Sequence, residues 1–273
     1  MDQCPHSCQK ASDWMEPIKG YLFDLDGTMY AGTEPIQAAV DFVNELEATG
    51  VPYLFVTNNA SMTQQQIADK LISMGANVKA ENVLTSAMAT AFYIEKMSPG
   101  ATVYMIGEDG LRLALESRGF HVTDEPKADY VVIGLDRHIT YEKLARGAIA
   151  IRSGARFIST NGDIAIPTER GFLPGNGSLT SVLTVTTEKE PFFIGKPEPV
   201  MIDIALDMIG LTKEDVVMVG DNYHTDILFG INGGIRTLHV NSGVHGPAFV
   251  QEQEKLPTYM VESLDEWKHE KKG

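Results

Sequence analysis

The chain has 273 residues, 43% hydrophobic and 22% charged, with a formal net charge of −15. That length allows one large domain or two smaller ones, and the acidic balance argues against broad binding to nucleic acid or an anionic membrane surface, both of which need basic surface. No apolar run approaches the roughly 20 residues of a membrane-spanning helix. The opening, "MDQCPHSCQKASDWMEPIKG", lacks the apolar centre of a signal peptide and holds both cysteines, Cys4 and Cys8. The rest of the chain therefore folds without disulfides, which suits a reducing cytoplasm. Residues 1–14 read as an unstructured or tag-like leader, in which Cys4, His6 and Cys8 make a poor structural metal site because they offer only three ligands.

In chain order, "YLFDLD" predicts a strand and "PIQAAVDFVNELEATG" a helix stopped by Gly50. "PYLFVTNN" predicts the next strand, and "SMTQQQIADKLISMG" a helix opened by Ser61 or Thr63. Within residues 83–187, "ATVYMIG", "DYVVIGLD" and "ARFISTNGD" read as strands, separated by the helical stretches "EDGLRLALESRG" and "TYEKLARGAIAIRSG". Later come the strand "DVVMVGDN", the short helix "TDILFGING" and the strand "IRTLHVNSG". Continuous apolar strands alternating with helices predict parallel sheets buried on both faces. The expected fold class is α/β: a doubly wound parallel-sheet core over 15–82 and 188–273, with a smaller α/β cap inserted over 83–187.

Three predicted core strands end in polar residues: "DLDGT", "TNN" and "GDNYHTD". Ligands of open parallel sheets bind at the carboxyl ends of strands, so these ends could share one site. Asp24, Asp26 and Asp221 would concentrate negative charge there, at a cost that a hard divalent cation such as Mg²⁺ relieves. Each aspartate alone reads equally as a helix cap or turn residue. Thr57, Asn58 and Asn59 supply a hydroxyl, amides and backbone N–H groups suited to phosphate oxygens, although the two asparagines could simply form a turn. Lys196, in "FFIGKPEP", follows an apolar strand and could neutralise a phosphate or a carboxylate.

"DLDGT", "TNN", "GKPEP" and "GDNYHTDI" occur in the order and relative spacing of the four motifs of the haloacid-dehalogenase superfamily. The insertion between the second and third motifs resembles the cap of its class IIA, NagD-like phosphatases. The resemblance runs from about Tyr21 to Val261. It implies that Asp24 attacks phosphorus to form an aspartyl phosphate, while Asp26 protonates the leaving oxygen and then serves as base. It implies Mg²⁺ held by the Asp24 carboxylate, the Asp26 backbone carbonyl and the Asp221 carboxylate, with Asp226 supporting the metal through its waters. Thr57, Asn58, Asn59 and Lys196 would bind the transferring phosphoryl group. An aspartate two positions after the nucleophile is typical of phosphatases and phosphotransferases and argues against dehalogenation.

Asn222, Tyr223 and His224 depart from the commoner fourth motif, where many relatives carry a basic residue and a second acid. His224 reads as a surface histidine. Substrate discrimination is expected in "STNGDIAIPTERG", with Asn161, Asp163 and Ile166 as its contacts. The pyridoxal phosphatase branch has a histidine where Ile166 aligns, which disfavours pyridoxal phosphate. "LPGNGSL" lacks the lysine and hydroxyl of a P-loop and reads as a structural turn. The expected activity is Mg²⁺-dependent hydrolysis of small phosphomonoesters, such as a sugar phosphate, a nucleotide or a p-nitrophenyl phosphate-like compound. The expected partner is a small phosphorylated metabolite, with neither nucleic acid nor a membrane. The competing readings are a phosphotransferase or mutase on the same core, and a metabolite-binding regulator without activity.

Overall fold

The computed structural model describes residues 17–269, so the leader with Cys4, His6 and Cys8 lies outside the described residues. The chain begins with β1 (Gly20–Phe23), the small hairpin of β2 (Tyr30–Ala31) and β3 (Glu34–Pro35), then α1 (Gln37–Thr49), β4 (Tyr53–Thr57), α2 (Gln64–Ser73) and β5 (Val83–Thr85). α3 (Ser86–Met97), β6 (Thr102–Ile106), α4 (Asp109–Glu116), β7 (His121–Thr123), β8 (Tyr130–Ile133), α5 (Tyr141–Arg152) and β9 (Arg156–Ser159) follow. Next come a hairpin of β10 (Ala165–Thr168) and β11 (Gly171–Pro174), α6 (Asn176–Thr187), β12 (Phe192–Phe193) and α7 (Val200–Ile209). The chain closes with β13 (Val216–Gly220), α8 (Leu228–Gly233), β14 (Arg236–Val240), α9 (Pro247–Gln251) and β15 (Tyr259–Val261). Among the described residues no helix is long and apolar enough to cross a membrane.

Two parallel sheets organise these elements. The first has the order β15-β14-β13-β1-β4-β5, and the second β12-β9-β8-β6-β7. β1 is central, and each of its residues is buried, so alternate side chains feed two different cores. Tyr21 and Phe23 point into the layer beneath α1 and α2, beside Phe42, Leu46, Ile67 and Leu71. Leu22 points the other way, toward α3 and α7, beside Ile94, Met201 and Ile202. Burying each such side chain is worth about 1.5–3 kcal/mol. The second layer does not stop at the first sheet: it runs on through Met105, Leu111, Val132 and Ile158. The far face of the second sheet packs Ile106, Val131 and Ile133 against Ile151 and Leu183 of α5 and α6.

The expected boundaries at 83 and 187 are displaced. β5 pairs with β4 in the first sheet, so that sheet extends through Thr85. β12 pairs with β9 in the second sheet, which therefore reaches Phe193. Both strands are too short for periodicity to assign, and backbone pairing decides their membership. α1 ends where expected, with Gly50 left-handed at φ 71°. α2 opens at Thr63, whose hydroxyl accepts from Gln66 N while Gln66 Oε1 accepts from Thr63 N. The stretch read as one short helix, "TDILFGING", is a single wide π turn over Tyr223–Ile227 continuing into α8. "LPGNGSL" is not a turn alone: Gly175 caps α6, which begins at Asn176.

Candidate active site

β1, β4 and β13 are neighbours in the first sheet and all run the same way, so their carboxyl ends lie side by side. Asp24 follows β1 directly, and its N–H donates to Val219 O, fixing it against β13. Asp221 follows β13, and Asp226 sits in the wide turn beyond. One carboxylate oxygen from each of Asp24, Asp221 and Asp226 lies within 4.8 Å of the other two. Lys196 enters this group from β12, so a strand of the second sheet delivers it to the end of the first. Its side chain is 2% exposed, with Nζ 2.5 Å from Asp24 Oδ1 and 2.8 Å from Asp226 Oδ1. Asp226 Oδ2 also accepts from Asn222 N at 3.1 Å.

One ammonium against three carboxylates leaves an excess of negative charge. Two like charges 4 Å apart repel by about 4 kcal/mol at an effective dielectric of 20. Burial, and then the Asp226 charge, push the Asp24 carboxyl up to about 8, with Lys196 pulling the other way. Burial and Asp226 raise Asp221 to about 6. Burial alone would lower the Lys196 ammonium, but the two carboxylates it touches raise it above the ordinary lysine value, so it stays charged. The donors are hard oxygens in a buried cluster short of positive charge, which fits Mg²⁺.

The Asp26 side chain is not one of the three clustered carboxylates and is exposed. Loss of hydration at its carboxyl raises its pKa, with Lys70 and a hydrogen bond from the Gly32 backbone opposing. Lys70 itself lies 3.6 Å over the Tyr30 ring. Thr57 ends β4 with its hydroxyl oxygen accepting from Asn59 N at 3.1 Å. Asn58 Nδ2 donates to Lys196 O at 2.9 Å and to the Asp163 carboxylate at 3.2 and 3.3 Å. Asn59 is turned away: its Oδ1 accepts from Ser61 N and Met62 N, both at 2.9 Å, so its side chain shapes the loop before α2.

The three cap residues are placed differently from one another. Asn161 is buried, and its amide donates to Asn58 O at 2.8 Å while its carbonyl accepts from Asp163 N. That side chain is committed to joining the two sheets' loops rather than open to a substrate. Asp163 faces Asn58, and burial raises its carboxyl pKa, with the Asn58 hydrogen bond and Lys196 lowering it. Ile166 sits on β10 opposite Leu173, in a hairpin outside this hydrogen-bond network. His224 is exposed, its ring edge-on to Tyr223 and His245.

Several participants were given no role in the motif reading, although Gly27 and Thr28 lie within "DLDGT" itself. Thr28 Oγ1 donates to Asp221 Oδ1 at 3.1 Å, and Val244 N to Asp221 Oδ2 at 2.6 Å. Gly27, at φ 88°, and Gly243 both lie where a Cβ would collide with the Asp221 carboxylate. The available signal was the glycine pair in "NSGVHG", directly after a strand at the binding edge of the sheet. Asn176 donates to Ser159 Oγ at 3.0 Å and Asn161 O at 2.9 Å, so the start of α6 braces the loop carrying Asn161 and Asp163.

A family model described as haloacid dehalogenase-like hydrolase matches residues 21–121, and a second, HAD-hydrolase-like, matches 193–267. The chain is 55% identical over 253 residues to the 5'-nucleotidase YutF of Bacillus subtilis, covering 93% of this chain and 98% of that protein. This chain belongs to the haloacid dehalogenase-like hydrolases. Its NagD-like class, read from the motifs and their insertion, stands. An acid sugar phosphatase of Staphylococcus haemolyticus is 53% identical, covering 92% of this chain and 95% of that one. Among solved structures, a double mutant of a thermostable NPPase from Geobacillus stearothermophilus aligns with a TM-score of 0.88 at 48% identity, covering 93% of this chain and 100% of that one. The p-nitrophenyl phosphatase from Archaeoglobus fulgidus aligns with a TM-score of 0.86 at 33% identity, covering 91% and 97%.

Proposed function

We propose that this hydrolase is a Mg²⁺-dependent phosphatase of small phosphomonoesters. The observation that carries the reading is the buried Lys196 ammonium shared between Asp24 and Asp226, beside Asp221, at the joined ends of β1 and β13. Relatives named as a nucleotidase, a sugar phosphatase and p-nitrophenyl phosphatases point to the same ester class.

The Asp24 carboxylate, the Asp26 backbone carbonyl and the Asp221 carboxylate would hold Mg²⁺, with Asp226 adjoining. When bound, the ion supplies positive charge that offsets these carboxylates and the phosphoryl oxygens. A carboxylate oxygen of Asp24 attacks phosphorus, forming a P–O bond as the bond to the leaving oxygen breaks. Asp26, whose raised pKa favours the acid form, gives its proton to that oxygen. Water then attacks the aspartyl phosphate and returns a proton to Asp26. The Asp24–phosphorus bond breaks, releasing phosphate and restoring the carboxylate. Lys196 and the Thr57 hydroxyl, with Asn58 and Asn59 shaping the loop beside them, bind phosphoryl oxygens, whose charge spreads in the transition state. Segment 159–171 would lie toward the leaving group, with Asp163 and the hairpin residue Ile166 as its specificity contacts.

Purified protein is expected to release phosphate from p-nitrophenyl phosphate with Mg²⁺, and to stop with EDTA. Asp24→Asn is expected to abolish turnover, and Asp26→Asn to lower it by about 10²–10⁴-fold. Full activity in Asp24→Asn would rule the mechanism out. A panel of nucleoside 5'-monophosphates and sugar phosphates then ranks the leaving groups.

A further inference from the structure

Asp221 is fully buried, and its two carboxylate oxygens are each held by a different part of the chain. Thr28, in the turn after β1, donates to Oδ1, and Val244 N, in the segment after β14, donates to Oδ2. A carboxylate offers about four acceptor positions, so one on each oxygen remains for a cation. The segment after β14 is itself tied down on two sides. Ser242 Oγ donates to Gly27 O at 2.7 Å, and His239 Nε2 lies 2.8 Å from His245 O and 3.2 Å from Asp221 O. Gly243 lets this backbone approach so closely that a Cβ there would overlap the Asp221 carboxylate. The Val244 side chain is itself exposed, so its N–H, not burial of its isopropyl group, is what this position contributes to the site.

We propose that the segment Asn241–Gly246 is a positioning element: with Thr28, it holds the Asp221 carboxylate in its metal-binding orientation. The inference rests on the reading of Asp221 as a Mg²⁺ ligand. It goes beyond that reading by assigning part of the quality of the metal site to Asn241–Gly246, a segment outside all four motifs, acting together with the last residue of "DLDGT". Thr28 spends its hydroxyl proton on Asp221, Ser242 ties its loop to Gly27, and Gly243 lies against the Asp221 carboxylate. They act by fixing a ligand, and supporting groups of this kind tune metal affinity by about 10–100-fold.

The test measures Mg²⁺ binding by titration calorimetry on the full chain, with the thermal midpoint in metal-free buffer recorded for each variant. Gly243→Ala and Thr28→Val are expected to weaken Mg²⁺ binding by about 10–100-fold in the folded variants, with the metal-free midpoint recording the separate loss of stability from each. Thr28→Ser, which keeps the hydroxyl, is expected to bind as the wild type does. In turnover assays the variants should need more Mg²⁺ for half-maximal rate, with KM for p-nitrophenyl phosphate unchanged at saturating metal. If Gly243→Ala fails to fold, Thr28→Val and Thr28→Ser decide alone. Unchanged Mg²⁺ affinity in the folded variants overturns the positioning role and leaves the phosphatase reading intact. A wild-type chain that binds no Mg²⁺ overturns both.

Discussion

Lys196 and Asp24 show how burial turns ordinary residue types into reactive ones. A lysine on a surface carries little information, but an ammonium at 2% exposure must be compensated, and its two aspartates do so. The raised pKa values of Asp24 and Asp221 set a sign. In the metal-free fold these carboxyls keep protons above the ordinary value of 3.8, so their contribution to stability is full below that pH and is lost as pH rises through about 6 and about 8. Mg²⁺ bound as proposed would need the ionised forms and would have to displace those protons at low pH. The rise in melting temperature on adding Mg²⁺ is therefore expected to be larger at pH 8 than at pH 5, measured by differential scanning fluorimetry. Asp215 has the opposite sign. Lys19 Nζ at 2.6 Å and two hydrogen bonds from Thr212 lower its pKa from 3.8 to about 2. Its stabilisation is present above 3.8 and lost as pH falls toward 2. The stability gap between the wild type and Asp215→Asn should close over that interval in urea titrations. As a spatial cluster, Asp24, Asp221 and Lys196 were legible because each follows an apolar strand, where a charge is conspicuous. Asn59 and Asn161 were not, because an amide can serve ligand or backbone equally and only the fold decides.

At the scale of elements, the long helices and central strands were legible from periodicity, and their caps from residue type. The Thr63–Gln66 capping box is an exposed, local device. Thr63→Ala is expected to cost about 1 kcal/mol in urea unfolding, with the site unaffected. Two short strands went unread because their identity depends on a partner distant in sequence. β5 and β12 are three and two residues long, and each is assigned by the strand it pairs with. The β10–β11 hairpin was not assigned because Ala165–Thr168 is largely exposed and shows no alternation of apolar and polar residues. The glycines of "LPGNGSL" serve close approach rather than turning alone. Gly177 N donates to Asp163 O at 2.8 Å, which seats α6 against the segment carrying Asn161 and Asp163.

At the scale of the whole molecule, one apolar layer runs from Leu22 and Leu54 of the first sheet to Val103 and Val132 of the second. α3 lies within that layer and packs against both α4 and α7. Ile94 of α3 is fully buried there. Ile94→Ala is expected to cost about 2–5 kcal/mol, and to lower the melting temperature in one transition rather than splitting it in two. Separate transitions seen by calorimetry would mean that the shared layer does not couple the sheets. The sequence foretold two α/β units but not this continuity, because a hydrophobic pattern marks which residues are buried without marking what they are buried against.

The central place of β1 also bears on how the protein is made. β1 lies between β4 and β13, yet β13 is translated nearly 200 residues after β1. A growing chain therefore has β1, β4 and β5 long before the strand that closes the other edge of β1. Through that interval "GYLF" presents an open, wholly apolar edge, the kind of template that pairs with the wrong neighbour. The whole second sheet is synthesised during this wait. Crowded ribosomes are where chaperone dependence of this chain should be greatest, and the hazard ends only when Val216–Gly220 emerges and brings Asp221 with it.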